Sequence, residues 1–225
     1  MNAGLIVAAG RNPSMAQNVD RAFLSLGTKP VLAFSMQAFE KCPDIDIVVV
    51  VARKDRVDAS YAVSQMFGCS KVKKVVAGAA DRQGSVALGL AEINEDVRIV
   101  TIHDASRPCV TPEMISQTVK SAKRYGSGVT GLKAPVAVKH VDKGQIVTKT
   151  LDHSKLWMTE TPQSFKIEVL RKGLDTAKRK GVALSDDSQA VELVSKEIRL
   201  VPSSVPNIRI ETADDLALAG AVLRI

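Results

Sequence analysis

Residues 45–52 read IDIVVVVA, a β-branched run that loses all alternation of polar and apolar after Asp46. A strand with one wet face alternates, whereas a short continuous run marks a strand covered on both faces, as in a parallel sheet between helices. Outward from it, the same signal recurs. Met1–Gly10 (MNAGLIVAAG) reads as a buried strand ending in small residues, and Lys73–Val76, Val97–Ile102 and Gly128–Ala134 as further strands. Between them lie stretches of helical spacing: Val31–Lys41, Val57–Met66, Ser85–Ile93 and Pro112–Tyr125. Ser85 and Thr111 are the expected N-caps, with Pro112 at a first helical position. Helices are also expected over Ile167–Lys180, Asp186–Ser195 and Thr212–Leu223, and short strands over Ile198–Val201 and Ile208–Ile210.

Strands that alternate with helices imply βαβ units, so the fold class is α/β: a Rossmann-like three-layer sandwich with a mostly parallel sheet. Ligands of such sheets bind beyond the carboxyl ends of the strands, near the switch in strand order. Residues 8–21, 78–85 and 103–108 fall at that edge. Residues 135–155 are more polar and read as a hairpin arm turning at Lys143-Gly144, projecting from one domain that spans residues 1–225.

Composition narrows the function classes. A chain of 225 residues holds a core without metal or disulfide staples. Cys42, Cys69 and Cys109 are odd in number and far apart, so no disulfide framework is expected and a cytoplasmic location is. No apolar run approaches the ~18 residues of a membrane span. The 31 basic and 24 acidic residues leave a net charge of +7, but the charges are scattered and aromatics are only 4%. Stacking platforms for nucleic acid are therefore scarce, and a small polyanion such as a nucleotide or sugar phosphate is the expected partner.

Several segments carry possible chemistry. Ala8-Ala9-Gly10 would let a ligand approach the backbone, though it matches neither a Walker loop nor the GxGxxG fingerprint of dinucleotide oxidoreductases. In His103-Asp104-Ala105-Ser106-Arg107-Pro108, Asp104 can hold a metal or a ribose hydroxyl and Arg107 can face a phosphate; alternatively the two pair with each other. His103 reads as a structural neighbour. Arg82 and Ser85 open a helix whose N-terminus attracts anions. Asp186-Asp187 reads as first-turn acids rather than a metal pair. Arg209 follows a Pro-marked loop, close to the sheet edge.

Together these pieces resemble the 2-C-methyl-D-erythritol 4-phosphate cytidylyltransferase family, from Leu5 to Leu218 and in order. They are AAG at 8–10, LSLGTKPVLAFS at 24–35, DRQGSV at 81–86, IHDASRP at 102–108, APV at 134–136 and KTLDHSKLW at 149–157. TPQSF at 161–165, SDDSQAVE at 185–192 and NIRIETADDLALA at 207–219 complete the set. Ribitol-phosphate cytidylyltransferases share much of the pattern, so the acceptor is less firmly marked than the family. The resemblance implies attack of a sugar-alcohol phosphate on the α-phosphate of CTP, with Mg²⁺, in a homodimer completed by the arm. By the same likeness, the backbone of Ala8, Ala9 and Gly10, the loop with Ala79 and Ala80, Arg82, Ser85 and Ala105 hold the nucleotide. Asp104 places the metal or hydroxyls, and Arg107 stands beside it.

The sequence departs from the family at the charged positions. Ser14 stands where the family has Arg, Arg21 and Arg209 where it has Lys, and Ala79-Ala80 where it has Gly-Asp. Arg21 and Arg209 keep the charge but offer a planar fork in place of a point charge. On the acceptor side His153 replaces an Arg, and Lys139, in an altered Val138-Lys139 pair, is expected to take over its phosphate contact. These changes keep open an acceptor such as ribitol 5-phosphate, or a catalytically silent relative with a binding role.

Overall fold

A computed structural model describes residues 1–10, 20–195, 197–203 and 206–225. In chain order its elements are β1 (Asn2–Ala8), a 3₁₀ turn (Arg21–Phe23), β2 (Ser25–Leu26), β3 (Lys29–Pro30), α1 (Val31–Lys41), β4 (Ile47–Ala52) and α2 (Val57–Met66). There follow β5 (Val72–Ala77), α3 (Arg82–Ala91), β6 (Ile99–Asp104), α4 (Pro112–Tyr125), β7 (Ser127–Lys133), β8 (Val138–Asp142) and β9 (Ile146–Leu151). The chain ends with β10 (Trp157–Lys166), α5 (Ile167–Lys180), α6 (Asp187–Glu192), β11 (Leu200–Pro202) and α7 (Ala213–Leu223).

The IDIVVVVA run becomes β4, flanked by parallel β1 and β5, and its side chains enter two cores. Val48 and Val50 join Leu32, Met36 and Phe39 of α1 and Ile115 and Val119 of α4 on one face. Val49 and Val51 join Val86 and Leu90 of α3 and Leu170 and Leu174 of α5 on the other. Both faces are covered, which is why the run does not alternate, and the three layers follow. The seven-stranded sheet runs β11-β7-β10-β6-β1-β4-β5, every neighbour parallel except β10, which is antiparallel to both β6 and β7. From β1 the chain moves outward to β4 and β5 and then returns to the other side of β1 with β6. That reversal is the switch point, and it places the ends of β1, β5 and β6 around one cleft.

Four expectations are corrected. Residues 157–166 form a ten-residue strand that sequence pattern did not reveal, because Pro162 and the polar Thr159, Glu160 and Gln163 argue against a central strand. The strand tolerates them because its register shifts between Thr159 and Gln163, at the proline. Helix α3 starts at Arg82 with Asp81, not Ser85, as its cap: the Asp81 carboxylate accepts from the Gly84 N–H at 2.6 Å. Ile208–Ile210 is not a strand; Ile210 N–H donates to the Ser106 carbonyl at 2.8 Å, its own carbonyl accepts from Arg21, and its side chain packs among Leu26, Val31 and Ala219. Helix α6 is shorter than expected, ending at Glu192. The hairpin over 135–155 is present as β8 and β9, largely exposed, turning through Gly144 at φ 72°.

Gly173 of α5 touches α6 so closely that an added Cβ would strike the Ala190 carbonyl, a backbone atom that cannot swing aside. Gly173→Ala is expected to lower unfolding free energy by about 1–3 kcal/mol through overpacking, measured by urea denaturation.

Candidate active site

The cleft at the switch point gathers Ala8, Ala9 and Gly10 from the end of β1, Arg21, Ala79 and Ala80 after β5, Arg82 and Ser85 from α3, Asp104 and Ala105 after β6, and Arg209. Small side chains dominate one wall. At Gly78 an added Cβ would lie 2.5 Å from Ala9 Cβ and 2.8 Å from Ser85 Oγ, so strand ends and helix approach as closely as atoms allow. The Ser85 hydroxyl accepts from Ala79 N–H (3.0 Å) and donates to the Asp81 carbonyl (2.8 Å), fixing the loop of Ala79 and Ala80 against α3.

The floor is ionic. Arg82 donates through Nε and Nη2 to Asp104 Oδ1, at 3.1 and 3.0 Å, and Nη2 lies 2.7 Å from Asp187 Oδ2. Asp187 is buried and Asp104 nearly so. Burial works against the charge on Arg82, but the charges of Asp187 and Asp104 outweigh it and raise its pKa. Burial likewise works against an ionised Asp104, yet Arg82, Arg209 and Arg107 hold its pKa below the usual carboxylate range. Asp187, deeper and sharing one cation with a second carboxylate, is pushed up by burial. Asp104 thus stays an anion at the cleft.

Arg21 and Arg209 line the same cleft. Asp20 caps the turn that carries Arg21, its Oδ1 accepting from Ala22 N–H at 3.1 Å. Arg21 donates from Nη1 to the Ile210 carbonyl at 3.2 Å, and Glu211 pairs with both arginines. Burial, then the charge of Arg209, lowers the Arg21 pKa, with Glu211 opposing.

Other expected residues fall elsewhere. Ser14 lies outside the described residues. Arg107 does not pair with Asp104 through its side chain; it turns away to the Asn207 carbonyl (2.7 Å) and Glu160 (3.5 Å). Lys139, bonded to Thr150 Oγ1 at 2.8 Å, and His153 at the foot of the arm are exposed, and neither lines the cleft of its own chain. Sequence reasoning missed Asp187, Glu160 and Glu211. Asp186 is the capping acid expected, accepting from Gln189 N–H at 3.0 Å, but its neighbour Asp187 faces inward. The signal was present: Asp187 shares a helical face with Ala190 and Val191, three and four residues on, and both are buried. TPQSF also gains a reason, since Gln163 accepts from Ser188 N–H at 3.1 Å and donates to Asp186 at the same distance, pinning α6 beneath the cleft.

The profile of the 2-C-methyl-D-erythritol 4-phosphate cytidylyltransferase family matches residues 3–225. The chain belongs to this family. Among cytidylyltransferases of that name, the one from Caldanaerobacter subterraneus subsp. tengcongensis is 34% identical over 223 residues, covering 99% of this chain and 98% of the relative. The one from Clostridium acetobutylicum is 32% identical over 225 residues, covering 100% and 98%. The 4-diphosphocytidyl-2C-methyl-D-erythritol synthase structure from Anaerococcus prevotii superposes with a TM-score of 0.87, at 23% identity, over 100% of this chain and 98% of that one, a likeness of fold. The cytidylyltransferase family therefore accounts for the α/β sheet and the order of its motifs.

Among the described residues no three His, Cys, Asp or Glu side chains are grouped to hold a metal ion. Magnesium does not require such a cage: one or two carboxylates and substrate phosphates suffice. Asp104, ionised and lining the cleft, fits that donor set.

His103 sits beneath this floor, wholly buried, its ring nitrogens 3.1 Å from the Arg107 carbonyl and 3.2 Å from Thr161 Oγ1. Burial pushes its pKa down to about 4 from 6.5, so the imidazole is neutral at pH 7. The unfolded chain takes up a proton below pH 6.5 that the folded chain refuses. Its contribution to stability is therefore full above that pH and is lost as pH falls toward about 4, by about 1.4 kcal/mol per unit. Urea midpoints of wild type and His103→Gln at pH 7 and 5 should show a smaller decline with pH in the variant.

Proposed function

We propose that this chain joins CTP and 2-C-methyl-D-erythritol 4-phosphate into 4-diphosphocytidyl-2-C-methyl-D-erythritol, releasing pyrophosphate. The match to the family over residues 3–225 carries the reading. The cleft supports it through its chemistry, since an ionised Asp104 and the guanidinium groups of Arg21 and Arg209 line one cavity. An acceptor phosphate oxygen attacks the α-phosphorus of CTP and pyrophosphate leaves. Such a transfer needs mainly positioning and neutralisation of charge on the phosphates.

In this reading the backbone of Ala8–Gly10 and the Ala79-Ala80 loop receive the base, with Ser85 holding the loop. Ala105 lies against the nucleotide, and Ser14 belongs to the same nucleotide-binding set. Arg82 orients Asp104 toward the ribose and the metal. Arg21 and Arg209 neutralise the triphosphate. A magnesium ion at Asp104, when bound, supplies further neutralisation of the phosphate oxygens. Arg107 reaches the acceptor phosphate by exchanging Glu160 for it. In a homodimer, the arm of one subunit brings Lys139 and His153 to the cleft of the other; exposed Val136, Val141, Ile146 and Val147 on and beside that arm favour such contact. The compartment proposed is the cytoplasm.

Pyrophosphate release from CTP should occur with 2-C-methyl-D-erythritol 4-phosphate and Mg²⁺, and far less with ribitol 5-phosphate or no acceptor. Silence with every acceptor from folded protein would overturn the reading. Asp104→Asn should lower turnover by roughly 10²–10³-fold. Its melting temperature should change little, because Arg82 keeps Asp187 as a partner. Deleting residues 137–150 should give an inactive monomer by light scattering; a dimer of undiminished affinity would remove the arm from the interface.

A further inference from the structure

Arg21 and Arg209 arrive from opposite ends of the sequence, and one oxygen lies between them. Glu211 Oε1 is 3.1 Å from Arg209 Nε and 3.8 Å from Arg21 Nη1. An anionic oxygen shared by two guanidinium groups is the arrangement in which arginines receive a phosphate oxygen. Both arginines line the cleft.

We propose that Glu211 is a resident counter-ion of the phosphate site, standing where a substrate phosphate oxygen binds and displaced when a polyphosphate arrives. The inference rests on the reading of this cleft as the triphosphate site. Three observations carry it. First, the two guanidinium groups repel each other, one of them buried, and a carboxylate between them offsets that repulsion while the cleft is empty. Second, the side chain is 51% exposed, and exposed ion pairs are weak. Third, the backbone beneath it is fixed without the side chain. Glu211 N–H donates to Asp215 Oδ2 at 3.0 Å, and Thr212 and Asp215 form the capping box of α7. The carboxylate can therefore leave while the backbone stays.

A built-in competitor of this kind sets a threshold. An anion of low charge gains little by replacing Glu211, whereas a triphosphate, contacting both arginines and the rest of the cleft, displaces it. The same carboxylate returns as pyrophosphate leaves, which lowers the affinity of the site for that product. Glu211 thereby tunes the site for polyphosphates and speeds release.

The test is calorimetric binding of pyrophosphate and of CTP to wild type, Glu211→Gln and Asp214→Asn at fixed ionic strength. Asp214 is an exposed acid on the first turn of α7 and serves as control for simple loss of negative charge. Glu211→Gln should bind pyrophosphate about three- to tenfold more tightly, the worth of one or two exposed ion pairs, while Asp214→Asn changes by about twofold or less. Unchanged or weaker binding in Glu211→Gln overturns the inference. Equal tightening in both variants also overturns it, because net charge alone would then suffice. If wild type and both variants bind neither pyrophosphate nor CTP, the triphosphate reading itself fails and the inference with it.

Discussion

One guanidinium between two carboxylates holds the functional end of this protein together. Arg82 comes from α3, Asp104 from the end of β6 and Asp187 from α6, so the sheet and two helices of one covering layer meet in a single ion cluster. Charges removed from water need partners close at hand, since the loss of hydration is several kcal/mol per ion. That need fixes the side chain of Arg82 and the inward turn of Asp187. It also explains the polar contacts around α6, whose N-terminus is tied to Gln163 of β10. The cluster sets two carboxylates against one guanidinium, and Arg21 and Arg209 add cations to the same cleft. A cleft lined by both an acid and guanidinium groups suits a ligand that carries both hydroxyls and phosphates.

Much of the architecture was legible because burial on both faces leaves a plain mark. Residues 45–52 could be read as a doubly covered strand, and the alternation with helices then gave the parallel sheet. The cleft was legible for a related reason, since small residues at Ala8-Ala9-Gly10 and an acid at Asp104 lay at strand ends. What stayed hidden depends on partners distant in sequence. Strand β10 looks like a loop because its proline and polar groups are satisfied only inside the sheet and against α6. Asp187 looks like an ordinary helix-capping acid until Arg82, more than a hundred residues earlier, is placed beside it. Arg107 looked like a phosphate ligand, and its turn toward Glu160 and Asn207 is visible only in three dimensions.

The wall made by Ala9, Gly78 and Ser85 shows how the site depends on what is absent. Where strand ends meet α3, no room remains for a side chain at Gly78, and the backbone itself forms the surface offered to a ligand. Specificity at such a wall comes from the positions of N–H and carbonyl groups, which the sheet fixes, rather than from side chains that rotate. The charged rim is the opposite case, built from long side chains whose positions depend on one another. Of the family differences noted in this sequence, Arg21 and Arg209 lie there and Ala79-Ala80 on the neighbouring loop, whereas Lys139 and His153 lie on the arm.

The place of β10 in the sheet has a consequence for the order of assembly. Strand β7 has no direct pairing with β6; β10, made later, fills the space between them. During synthesis the chain through Asp104 can form a four-stranded half with its helices, but β7 must wait until the strand that follows the arm has emerged. At about 5–20 residues per second the wait lasts a few seconds. Through that interval the edge of β7 that will meet β10 has no final partner, and the nascent chain is most open to chaperones, or to pairing with a neighbour on the same messenger.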